Sequence, residues 1–145
     1  MKKGIVILMS LIFLVSCKSR ENSNDNNDTG KSSGQLENLK VIEGKVVDPK
    51  RKPIAYVAIK LYLDDNDCMN AYTSKEGTFQ FKLDEFRIKE QSHFEIVYKG
   101  YTIHYVSLRN FQNGKSIILN KKGEVVPAAE YHVFYESIKS CGRKS

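Results

Sequence analysis

Cysteine, histidine and clustered charge are the residue types here whose spacing could do chemistry. Cys17 closes the apolar stretch "LIFLVSC", residues 11–17, which places a thiol, a strong nucleophile once ionised, at the end of a segment fit to enter a membrane. Cys68 and Cys141 are the remaining cysteines. They either bridge, as an oxidising compartment permits, or stay free with Cys141 in a loose tail. Neither has a CxxC partner or an obvious base beside it, which argues against a catalytic thiol pair.

The histidines, His93, His104 and His132, lie singly. Three imidazoles can hold one zinc, but these share no ligand spacing, and no HxxE pair is followed by a distant His. The acidic run Asp64, Asp65, Asp67 puts Asp65, Asp67 and Glu76 at positions one, three and twelve of a calcium loop. Positions five and six would then be Met69 and Asn70, where an oxygen ligand and a glycine are required. No catalytic set, metal site or cofactor motif emerges, and the expectation is a protein that is not an enzyme. Lys50-Arg51-Lys52 reads as a solvated hairpin tip whose charge keeps a sheet edge from pairing with another chain. Its functional alternative is contact with anionic lipid headgroups or polysaccharide. Basic residues are interspersed with acidic ones along the whole domain without a basic, aromatic stripe, so nucleic acid is not an expected partner.

The amino end explains Cys17. Met1, Lys2 and Lys3 precede an uncharged segment from Gly4 to Ser16, the layout of a secretory signal over 1–16 and too short for a span of about 20 apolar residues. Leu14-Val15-Ser16-Cys17 resembles the lipobox of bacterial lipoproteins. That resemblance implies cleavage before Cys17, a diacylglycerol on its thiol, and a further acyl chain such as palmitate on the new amino group. It implies a location in the cell envelope, lipid-anchored, at the outer membrane on its periplasmic or surface side. More than one chain makes such anchoring stable, since each buried methylene contributes about 0.8 kcal/mol. Loss of Lys2 and Lys3 with the signal would reduce the formal charge of +6 by two. Residues 17–38 carry no aromatic and no apolar periodicity, and read as a flexible tether. Bacteroidetes lipoproteins use an acidic run after the cysteine for surface export; here Lys18 and Arg20 come first, and Glu21 is the only acid before Asp25.

What must position anything further is a set of strands. Stretches rich in Val, Ile, Tyr and Phe, separated by turn residues, predict an all-β sandwich over 39–126 with seven antiparallel strands, at 40–47, 55–63, 69–74, 78–83, 93–99, 101–108 and 115–120. Ala55, Val57, Ile59, Leu61 and Leu63 share one face, with Tyr56, Lys60 and Tyr62 on the other; Phe79, Phe81 and Leu83, and Phe94, Ile96 and Tyr98, also alternate. Residues 84–92 suggest a surface turn or short helical crossing. In the extension, 127–145, periodicity does not decide; Pro127 blocks a ladder running through it and so marks a separate element, and aromatic content from Tyr131 to Tyr135 favours an added edge strand that brings the chain end back against the sandwich.

Four motifs in order, Ile42-x-Gly44-x-Val46-x-Asp48, Pro53-Ile54-x-x-Val57, Thr73-x-x-x-Gly77-x-Phe79 and Lys99-Gly100-Tyr101, resemble the carboxypeptidase regulatory-like domain over about 40–120. The resemblance implies a transthyretin-like, immunoglobulin-like sandwich without the catalytic part of those carboxypeptidases. Lys52 and Ser74 stand where that family often has Gly and Asp. Hydroxyisourate hydrolases share the fold but end in Tyr-Arg-Gly-Ser, and this chain ends "CGRKS". The expected function is a lipid-anchored, non-catalytic envelope module serving contact with an envelope protein or polysaccharide, or a structural role. The alternative is an accessory domain or hydrolase whose site, for instance His104 and Arg109 with carboxylates, forms only in three dimensions.

Overall fold

A computed structural model describes residues 38–142. The expected signal, Cys17 and all but the last residue of the expected tether lie outside the described residues. The described chain is mostly β, with seven strands in two sheets and one short helix: β1 (Leu39–Val47), β2 (Ala58–Tyr62), β3 (Cys68–Tyr72), β4 (Thr78–Asp84), β5 (His93–Val97), β6 (His104–Ser107), β7 (Ser116–Ile118) and α1 (Ala128–Ser137). One sheet has the order β4-β1-β7, the other β3-β2-β5-β6.

Alternation builds the core. On β4, Phe79, Phe81 and Leu83 are buried while Thr78, Gln80 and Lys82 are exposed. Ile42 pairs with Phe81 and Gly44 with Phe79, so β1 and β4 turn the same rows inward. The other sheet answers with Ile59, Leu61, Phe94 and Ile96, all fully buried. Burying each such side chain contributes about 1.5–3 kcal/mol, which is why the faces meet. A 3-10 turn at Glu85–Arg87 carries the chain from the first sheet to β5, with the Asp84 carboxylate accepting from the Phe86 N–H.

Three expectations need correction. The second strand begins at Ala58 rather than residue 55, because Ala55 and Tyr56 form a turn in which Tyr56 takes a φ of 61°. A ladder cannot run through left-handed backbone. The sandwich is not purely antiparallel: β7 runs parallel to β1, with Val46 opposite Ile117. After β6 the chain crosses between the sheets and comes alongside β1 in the same direction, and such a connection gives a parallel pair.

The third correction is the tail. Residues 128–137 are helix, not an edge strand, and a 3-10 turn follows at Ile138–Ser140. Pro127, with a φ of −64°, caps the helix instead of breaking a ladder; helix starts tolerate proline, because N–H groups there have no internal partner. Tyr131, Tyr135 and Ile138 are spaced by four and three, the spacing of one helical face. Tyr135 packs on Tyr72 with centroids 4.2 Å apart, and Tyr131 meets Tyr98 at 5.3 Å. The Tyr72 hydroxyl donates to the Tyr135 carbonyl at 2.7 Å, and the Tyr131 hydroxyl donates to the carbonyl of Tyr56. Cys68 and Cys141 are joined by a disulfide with Cα atoms 5.1 Å apart. The tail therefore lies on the outer face of the four-stranded sheet, along β3.

Candidate functional site

The motif residues of the sequence gather at one end of the sandwich and act on the backbone. Thr73, buried, donates from Oγ1 to the Ile54 carbonyl at 2.7 Å and accepts from the Val57 N–H at 2.9 Å. Gly77 has a φ of 76°, and a Cβ there would stand 2.6 Å from the Val46 carbonyl oxygen and 3.1 Å from Pro53 Cβ, so both conformation and space require glycine. Pro53 itself bridges to Val47. A Cβ on Gly44 would lie 2.8 Å from the Phe79 ring, which is the close approach that position serves. Asp48 accepts from the N–H groups of Lys50 and Lys52, both at 2.8 Å, and so shapes the turn that presents them. Gly100, with a φ of 76°, lets its N–H reach the Val126 carbonyl at 2.8 Å, and Tyr101 follows half-buried.

The histidines do not converge. His104 pairs with Ile96 and so shares its inward face; burial lowers its pKa. His132 is exposed on α1, and His93 lies on the outer face of the four-stranded sheet. Arg109 pairs with Glu90 at 2.9 Å on the exposed surface, away from the inward side of His104. Asp67 holds Arg87 through two hydrogen bonds, 3.0 and 2.7 Å, which raise the guanidinium pKa. Among the described residues no group of three His, Cys, Asp or Glu side chains could hold a metal ion.

What the strands do assemble is a polar aromatic surface on the half of that outer face the tail leaves uncovered. Register sets Tyr62 beside His93, and Lys60, Glu95 and Tyr105 in the next row. The Tyr62 and His93 rings stack at 4.8 Å and 13°. The Glu95 carboxylate takes one hydroxyl on each oxygen, Tyr62 at 2.9 Å and Tyr105 at 3.1 Å. Lys60 Nζ lies 4.1 Å over the Tyr62 ring. Burial, then the Glu95 hydrogen bond and charge, push the Tyr62 phenol up to about 12. The same causes raise Tyr105, burial first. Both phenols therefore stay neutral donors, and the shared carboxylate links the two rings. Tyr105, 61% exposed on edge strand β6, is the outermost of them.

Tyr56, Tyr62 and Tyr72 do not form one aromatic patch. Tyr72 is covered by α1, Tyr56 sits in a turn, and Tyr62 joins residues from β5 and β6. His93, Glu95 and Tyr105 carried no local signal, because only cross-strand register makes them neighbours.

No protein-family model matches the chain, and no curated protein matches it. Among solved structures it is similar to the Bacillus anthracis TIE protein, with a TM-score of 0.37 and 14% identity over 62% of this chain and 17% of that one. It is also similar to a DUF3823 family protein from Parabacteroides merdae, with a TM-score of 0.36 and 15% identity over 61% of this chain and 46% of that one. The chain spans less than half the length of either.

Proposed function

We propose that this chain is a lipid-anchored, non-catalytic module of the bacterial cell envelope, a carboxypeptidase regulatory-like sandwich of transthyretin type that binds an envelope protein or polysaccharide. The anchor rests on the lipobox resemblance at Cys17, and the fold type on the four ordered motifs. The single observation that supports binding is the uncovered surface of Lys60, Tyr62, His93, Glu95 and Tyr105, preset by the Glu95 hydrogen bonds. Rigid tyrosines with a polar tip present contact area at low entropic cost, so they suit recognition. The hydrolase alternative draws no support from His104 and Arg109, which face different ways.

A photoreactive phenylalanine analogue placed at Tyr105 tests this in growing cells. One discrete crosslinked envelope component is expected, absent when the analogue replaces Lys82 on the opposite sheet. No adduct, or the same adducts from both positions, would contradict the proposed binding face.

A further inference from the structure

The end of the sandwich where Asp48 and Tyr101 lie carries a second surface, separate from the sheet face and independent of its reading. The turns after β1 and after β5 and the segment after β7 close around a concavity of about 570 Å³, lined by Lys50, Lys52, Lys121 and Lys122 with Tyr101 and Asp48. We infer that this basin binds a phosphate group.

The sequence presets it locally. Asp48 fixes the backbone of Lys50 and Lys52, and Arg51 between them takes a φ of 65°. On the other wall, Asn120 Oδ1 accepts from the Lys122 N–H at 3.0 Å. The Thr102 hydroxyl donates to the Lys122 carbonyl at 2.9 Å, and the Thr102 N–H to that of Asn120, also at 2.9 Å. Parallel pairing of β7 with β1 is what brings Lys121 and Lys122 beside a turn some seventy residues earlier. Lys121 Nζ lies 4.8 Å over the Tyr101 ring.

Among the described residues, ion pairs engage Lys40, Arg87, Arg109 and Lys139, and none of the four basin lysines. Asp48 offsets part of their charge, but one of its oxygens already accepts two backbone hydrogen bonds. The excess is positive and gathered from two chain segments. Its donors are ammonium groups, compact charges that meet phosphate oxygens from several directions. No arginine lines the basin, so an anion there would be met by point charges rather than by the bidentate fork that suits carboxylate and phosphate alike. At about 3.3 Å per strand residue, β1 separates the basin from residue 38 by roughly 30 Å.

The test uses the purified lipidated protein in uncharged detergent micelles, followed by amide NMR during titration with inorganic pyrophosphate. A second arm uses nanodiscs of phosphatidylcholine alone or mixed with phosphatidylglycerol. Saturable shifts confined to Lys50, Lys52, Tyr101 and Lys122 are expected in at least one arm. Pyrophosphate response would assign a soluble phosphate, and response only to phosphatidylglycerol would assign a lipid headgroup. Joint Lys121→Ala and Lys122→Ala substitution should weaken the response roughly thirty-fold, since each lysine near an anionic surface contributes a factor of about five. Joint Lys40→Ala and Lys82→Ala substitution, which removes equal charge elsewhere, should leave it unchanged. Absence of saturable shifts in both arms, or equal weakening by both variants, would overturn the site.

Discussion

Replacing Phe79 by alanine is expected to lower the stability of the folded domain by about 3–5 kcal/mol. Phe79 is buried between the sheets, with ring centroids 6.1 Å from Phe81, 6.0 Å from Phe94 and 6.2 Å from Phe111. Its ring also covers Gly44, which has no side chain to move into the space left behind. Such a cavity cannot collapse easily, so the cost belongs in the upper part of the range. Phe94, which also packs on Phe81 and Phe111, would lose a partner on one side. The midpoint of urea unfolding should fall with its slope unchanged. A midpoint equal to that of the wild type would mean that these four rings do not form the core.

Cys141→Ser is expected to cost about 4 kcal/mol relative to the oxidised protein. The disulfide joins positions 73 residues apart, and opening a loop of that length returns conformational freedom to the unfolded chain. The local consequence is sharper than the global one. A ten-residue helix is marginal by itself in water; α1 depends on Tyr72, Tyr98 and the bridge to stay docked. Hydrogen exchange should therefore show Tyr131 to Ile138 losing protection in the variant, while β4 and β5 remain slow. Equal protection of the tail in both proteins would show that the aromatic contacts hold it without the disulfide.

How far the sequence could be read depends on whether a residue's partner was local. Strands β1, β3 and β4 fall within a residue or two of expectation, since Phe79, Phe81 and Leu83 announce their face by simple alternation. The start of β2 did not, because nothing in "PIAYV" marks Tyr56 as left-handed; the turn is held by the Tyr56 N–H donating to the Thr73 carbonyl at 3.0 Å. The tail misled for a related reason. Aromatic residues from 131 to 135 raise strand propensity, yet Tyr72 and Tyr98, distant in sequence, reward the helical spacing of Tyr131 and Tyr135. Tertiary contact overrode local preference. The candidate surfaces were legible only in fragments. Lys50-Arg51-Lys52 stood out as a cationic tip, while Lys121-Lys122 joined it through a parallel pairing that alternation does not reveal. Glu95 looked like one more outward strand residue until register set Tyr62 and Tyr105 on either side of it.

The central claim, that Cys17 fixes this sandwich to an envelope membrane, has one direct measurement. Cells expressing the protein are fed a clickable palmitate analogue, and the purified product is mapped by mass spectrometry. The account predicts label on the amino-terminal peptide, a chain that begins at Cys17 and carries diacylglycerol on its thiol, and no label on Cys17→Ser. Equal labelling of both proteins, or an unlabelled chain still beginning at Met1, would contradict it.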